Sequence, residues 1–164
     1  LEILSTVKSS NIQYYFIGEG QDELLRKYGD NKLRDRLHIL GKMTAENCEN
    51  WILSADFLLI IGNNVDIQVP SKVFSYMSYG IPIIATYKIR ECSANTYLNK
   101  IPNSILIDET ENDINLLATK IEKFVAEYAG TRLKSQDIER YADIYTAKYV
   151  VDEFVRVFGS VKEN

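Results

Sequence analysis

The sequence predicts an α/β fold: a Rossmann-like doubly wound parallel sheet with helices on both faces. Apolar runs bounded by turn residues alternate with stretches of helical period, which is the pattern of repeated βαβ units. The runs are apolar along their length instead of alternating with polar residues, as befits strands covered from both sides. A chain of 164 residues, 46% hydrophobic and 26% charged, is also the right size for one domain with a substantial core.

Taken in order, LEILSTVKSS reads as a helix, so the first strand of a complete doubly wound domain is expected ahead of it and the chain reads as a fragment. Strands follow over residues 14–17, 37–40, 57–61, 83–86 and 104–107. Between them, a helix over 21–28 follows Gly20, and the Thr44 hydroxyl caps a helix running through Trp51. Pro70 or Ser71 opens a helix that ends at Gly80, where a left-handed cap is expected and Pro82 prevents continuation. Asp108 and Glu111 have capping-box spacing ahead of a helix over 111–128. The tail over 135–161 is helical again, with Ile144, Tyr145, Tyr149, Val150, Phe154, Val157 and Phe158 forming an apolar stripe that packs back on the domain. No linker, repeat or low-complexity segment divides the chain, so residues 1–164 read as one domain.

Composition excludes several function classes. A net charge of −4, a pI near 5.1 and the lack of a Lys/Arg run leave no electrostatic footprint for nucleic acid. No apolar stretch reaches membrane-spanning length, and with Glu2, Lys8, Glu19, Asp22 and Glu23 in the first 30 residues no signal peptide is expected there, so a cytoplasmic location is expected. Cys48 and Cys92 are far apart and lack a CxxC partner, so both read as reduced thiols. His38 sits in the apolar run LHIL and reads as a packed strand residue, which argues against His-centred nucleophilic chemistry.

In an open parallel sheet, ligands sit beyond the carboxyl ends of the strands. The stretch VPSKVFSYMSYGIPIIAT places a helix start there. At 100° per residue, Val73, Phe74 and Met77 share a core face, Ser71, Ser75 and Ser78 a second, and Lys72, Tyr76 and Tyr79 a third. Free amides at Ser71, Lys72 and Val73, with the Lys72 ammonium, suit an anion such as a diphosphate. The bland alternative stays open: the serines are small for packing and Lys72 is merely solvated. The preceding loop GNNVDIQV offers Asn63, Asn64, Asp66 and Gln68 as hydrogen-bonding groups, or is a simple exposed turn. IGEGQDELL lacks the third glycine of a dinucleotide fingerprint and reads as a tight turn with Glu19 exposed.

The order and spacing of FIGEGQDELLRKYG, HILGKMTAENCENWILSADFLLI and VPSKVFSYMSYGIPIIAT, over residues 12–108, resemble the carboxyl-terminal, donor-binding domain of GT-B glycosyltransferases of the group 1 class that includes family 4. The resemblance implies that Gly41, Lys42 and Met43 line a base pocket through the main chain. It implies that Pro70, Ser71 and Lys72 face the diphosphate, and that Ser75 meets the ribose. Many such enzymes carry two glutamates eight positions apart; Ile67, with Asp66 beside it, and Ser75 stand at those places here. A serine accepts a ribose hydrogen bond without charge, and so more weakly. The implied function is transfer of a sugar from a nucleotide diphosphate sugar to a glycan or lipid-linked acceptor, the acceptor entering through an amino-terminal domain outside this sequence. No catalytic residue is assigned, no cofactor or metal is implied, and association of the full-length protein with the inner membrane face is among the implications. The fragment alone is expected to bind nucleotide weakly and to be inactive. A noncatalytic sugar-nucleotide-binding or interaction module and a sugar-nucleotide 2-epimerase domain are the rival readings.

Overall fold

A computed structural model describes residues 1–9, 11–20, 22–62, 69–142 and 155–156. In chain order the elements are α1 (Glu2–Thr6), β1 (Tyr14–Ile17), α2 (Asp22–Tyr28), β2 (Leu37–Gly41), α3 (Ala45–Ser54), β3 (Leu58–Ile60), α4 (Ser71–Ser78), β4 (Ile83–Tyr87), α5 (Ser93–Leu98), β5 (Ser104–Asp108), α6 (Ile114–Tyr128) and α7 (Ser135–Ala142). A π-helical turn, Gly29–Leu33, and a 3-10 turn, Arg34–Arg36, carry the chain from α2 into β2. The apolar stripe from Ile144 to Phe158 and the loop residues Asn63, Asn64, Asp66, Ile67 and Gln68 lie outside the described residues.

All strand pairing is parallel, but the ladder is in two pieces. β1 pairs with β2, and β3, β4 and β5 form a separate three-stranded sheet in that order. Two apolar layers cover the three-stranded sheet. On one face Leu58, Ile60, Ile83 and Ala85 pack with Val73 and Met77 of α4 and with Ala94 and Leu98 of α5, flanked by Ile52 of α3 and Ile138 of α7. On the other face Ile84 and Ile107 pack with Leu4 of α1 and with Leu117, Ala118, Ile121 and Phe124 of α6. Helices therefore cover both faces, the doubly wound arrangement that the all-apolar strands predict. Burying Leu117, Ile121 and Phe124 contributes about 2 kcal/mol each.

The helix starts follow side-chain chemistry. Thr44 accepts the Asn47 amide at 3.3 Å and opens α3. The capping box expected at Asp108 and Glu111 does not form. Asp113 caps α6 by accepting the Leu116 amide at 3.0 Å, and Asp108 instead closes a local turn, accepting the Thr110 amide at 2.9 Å and its hydroxyl at 2.6 Å. A short acidic side chain can bond its own backbone two residues on, and at Asp108 that turn outcompetes the helix. At the end of α4, Gly80 takes φ +64 as expected, and its carbonyl accepts both the Leu133 amide at 2.9 Å and Asn103 Nδ2 at 3.0 Å. α7 thereby docks on the end of α4, so within the described residues the carboxyl-terminal segment does pack back.

Candidate functional site

The carboxyl ends of the strands hold the loops that the sequence singles out. At β1 and β2, Gly18 and Gly41 have φ +126 and +67, and the Gly18 amide donates to the Gly41 carbonyl at 2.8 Å. This bond ties the loop 18–20 to the loop 41–43. Across the same junction the exposed Lys42 Nζ and Glu19 Oε2 lie 3.9 Å apart. Such an exposed pair adds little stability, but it holds the Lys42 and Glu19 charges on one rim. Met43 is half-buried at one end of an open concavity of about 310 Å³ along α3, lined by Asn47, Asn50, Trp51 and Ser54.

The start of α4 is the second part of the site. Pro70, at φ −58 and ψ 131, occupies the cap position and makes no side-chain cap bond. Val73 is taken out of the expected anion cradle, because its amide donates to the Pro70 carbonyl at 2.9 Å. The amides of Ser71 and Lys72 have no partner among the described residues, as expected for the first turn of a helix. Ser71, Lys72, Ser75 and Ser78 are all exposed, so the serine stripe is not a helix-packing face. Ser75 donates to the Lys72 carbonyl at 3.2 Å and Ser78 to the Ser75 carbonyl at 2.7 Å. Their hydroxyl protons are thus used within the helix, while their lone pairs still face solvent as acceptors. Val73 and Met77 are buried beneath, which fixes the helix on the sheet.

Asp66 lies outside the described residues. The described site residues fall into two groups, Gly41 to Met43 after β2 and Pro70 to Ser75 after β3, both at the carboxyl-end rim of their sheets.

A third polar group stands at this rim, at the start of the loop over 87–95 that follows β4 and that the strand-end rule marks as a place to look for function. Tyr87 and Asp108 are register partners at the ends of β4 and β5. Bonds from the Thr110 hydroxyl and amide hold the Asp108 carboxyl below its ordinary pKa, and partial burial followed by the Asp108 charge raises Tyr87. Beside them Lys88 Nζ lies 3.9 Å from Glu109 Oε2. The signal was one residue away: the predicted strands stop at 86 and 107, just short of this pair.

His38 faces none of this. Its Nε2 lies 2.8 Å from Gln13 Oε1 and its ring stacks on Tyr15 at 4.7 Å, with Tyr15 in turn 4.9 Å from Trp51. Among the described residues no group of three His, Cys, Asp or Glu side chains could hold a metal ion, and no helix is long and apolar enough to cross a membrane. Neither Cys48 nor Cys92 is in a disulfide, and Cys92 lies within the core.

The sequence model of the family described as glycosyl transferases group 1 matches residues 1–127. No curated protein matches the chain.

Proposed function

The chain belongs to the group 1 glycosyl transferases, and from that premise we propose that it is the donor-binding part of an enzyme that moves a sugar from a nucleotide diphosphate sugar to a glycan or glycolipid acceptor. One observation carries the reading. The first turn of α4 leaves the Ser71 and Lys72 amides unpaired among the described residues, beside an exposed ammonium, at the carboxyl-end rim of the sheet. Oriented amides and a lysine stabilise a diphosphate, including the charge that develops on it as the sugar leaves, without acid chemistry. In this reading Gly41, Lys42 and Met43 receive the base. Ser75 accepts a hydrogen bond from the ribose, and Asp66 is a further member of the nucleotide-sugar-binding set. The acceptor arrives on another domain, and the enzyme works at the cytoplasmic face of a membrane without a cofactor.

A 2-epimerase reading asks for histidine and carboxylate groups around the donor, and His38 is engaged with Gln13 and Tyr15 instead. A noncatalytic binding module shares the α4 chemistry and differs in turnover alone.

Calorimetry with UDP, GDP and their sugars tests the proposal on the wild-type chain and two variants. Ser71→Pro deletes one amide donor at a position where helices accept proline, and the extended backbone of Pro70 already suits a following proline. Lys72→Ala removes the ammonium. Each variant is expected to weaken binding of one nucleotide series by about tenfold, with the Lys72→Ala effect shrinking at high salt. Absence of binding to every nucleotide, or binding indifferent to both substitutions, overturns the reading.

A further inference from the structure

Next along the rim from the start of α4 stands the turn 88–92, KIREC, between β4 and α5. The turn and the α4 mouth are neighbours. β3 and β4 pair in parallel, and at their carboxyl ends the Gly62 amide donates to the Thr86 hydroxyl at 3.3 Å. A Cβ added at Gly62 would collide with the Thr86 carbonyl oxygen, so the two backbones touch there. Val69, just ahead of Pro70, and Ile89, inside the turn, pack on the same core cluster, and Phe74 of α4 meets Tyr97 of α5 edge-on at 5.2 Å.

The turn is held in one shape. Asn95, 7% exposed in the first turn of α5, donates through Nδ2 to the Arg90 carbonyl at 3.1 Å and to the Ile89 carbonyl at 3.4 Å. The Ile89 carbonyl also accepts the Cys92 amide at 3.1 Å, and the Asn95 amide donates to the Cys92 carbonyl at 2.9 Å. Cys92 is buried in the core cluster and Ile89 packs against it. Burying a polar side chain is costly unless it is hydrogen-bonded, and Asn95 meets that cost with two consecutive carbonyls of one turn.

What this turn presents is positive charge. Lys88 and Arg90 are both exposed. Lys88 Nζ lies 3.9 Å from Glu109 Oε2, whereas Arg90 makes no ion pair among the described residues. The Arg90 charge adds only a minor lowering to the Asp108 carboxyl, after the Thr110 bonds. A rigid turn therefore carries a guanidinium without a carboxylate partner to the rim.

Strand order gives that guanidinium its place on the donor. In the proposed reading the base lies at the end of β2 and the diphosphate at the end of β3, and β4 is the next strand beyond β3. A donor laid across the rim in that order brings its distal phosphate, the one that carries the sugar, toward the end of β4. A guanidinium offers a planar fork that matches two phosphate oxygens, whereas the Lys72 ammonium is a point charge.

We propose that Arg90 binds the distal phosphate of the donor, and that Asn95 is the positioning residue that aims it by pinning the Ile89 and Arg90 carbonyls. The pair selects nucleoside diphosphates over monophosphates. Because the turn is held before the donor arrives, little of the interaction is lost to ordering a loop. The inference rests on the donor-binding reading above and adds to it two residues outside the α4 mouth.

Calorimetric titration of the 164-residue chain with UMP and UDP, and with GMP and GDP, tests the proposal on wild type, Arg90→Gln, Asn95→Ala and the double variant. Wild type is expected to bind one diphosphate about tenfold or more tighter than its monophosphate. Arg90→Gln should weaken that diphosphate by about tenfold and leave the monophosphate unchanged, whereas Lys72→Ala weakens both. Asn95→Ala should weaken the diphosphate in the wild-type background and add nothing to Arg90→Gln, the non-additivity of a residue that acts through another. Asn95→Ser, which keeps one donor, replaces Asn95→Ala if the latter does not fold. A diphosphate preference that is absent from wild type, or that survives Arg90→Gln, overturns the proposal and leaves the α4 mouth as the donor site. Additive effects of the two substitutions overturn the role of Asn95. Failure of wild type to bind any of the nucleotides overturns this proposal and the donor-binding reading together.

Discussion

Gly80 shows how much a single residue holds in place. At φ +64, an added Cβ would lie 2.7 Å from Ile138 Cδ1 and 3.1 Å from the Leu133 carbonyl oxygen. Gly80→Ala meets both backbone strain and the α7 contact, and is expected to lower stability by about 2 kcal/mol, read as a fall in denaturant midpoint. A second prediction concerns Asp108. Its carboxyl is held below the ordinary value of 3.8, first by the Thr110 hydroxyl and amide. A depressed carboxylate pKa stabilises the fold above the unfolded value, and that stability is lost as pH falls through the folded value. Thr110→Val removes the hydroxyl and keeps the amide, so the variant should lose less stability than wild type between about pH 6 and about pH 2, as followed by urea unfolding. Residue-level features of this kind were partly legible. The glycine at the end of α4 was readable because only glycine tolerates that conformation cheaply. The Asp108 turn was not, because Asp108 and Asp113 can both cap and only the assembled loop selects between them.

At the scale of elements, the strands were read to within a residue or so, since apolar runs that stop at Gly, Pro and Asn leave little freedom. α5 was overlooked for a physical reason. SANTYL has six residues and one strong apolar anchor, Leu98, and it is held by burial of Ala94 and by Asn95 donating to the Ile89 and Arg90 carbonyls. No helical period can show in so short a stretch. For α6 the shifted cap makes a direct test: Asp113→Ala should cost about 1 kcal/mol, while Glu111→Ala, which leaves the Asp113–Leu116 bond intact, should cost less. The reverse order in thermal unfolding would mean that the helix begins where the capping-box spacing put it. The same economy governs α4. Its outer amides have no partner among the described residues because Pro70 brings no side-chain acceptor, and the turn closes one of the three expected donors by bonding Val73 to Pro70.

For the whole molecule, the doubly wound layering follows from composition and period, and α1 and α6 on one face with α3, α4 and α5 on the other confirm it. The order β3-β4-β5 and its separation from β1-β2 were not readable, because strand adjacency is a non-local property. The candidate site was legible as loops at strand ends; which loops share a rim depends on that same adjacency. The account rests on the α4 mouth holding a diphosphate, and the amide resonances of Ser71 and Lys72 report on it most directly. Titration with UDP, GDP and their sugars in heteronuclear NMR should move both resonances saturably for one nucleotide series, in step with Lys42 and Met43 at the proposed base pocket. Shifts confined to other parts of the chain, with Ser71 and Lys72 unmoved at saturation, would contradict it.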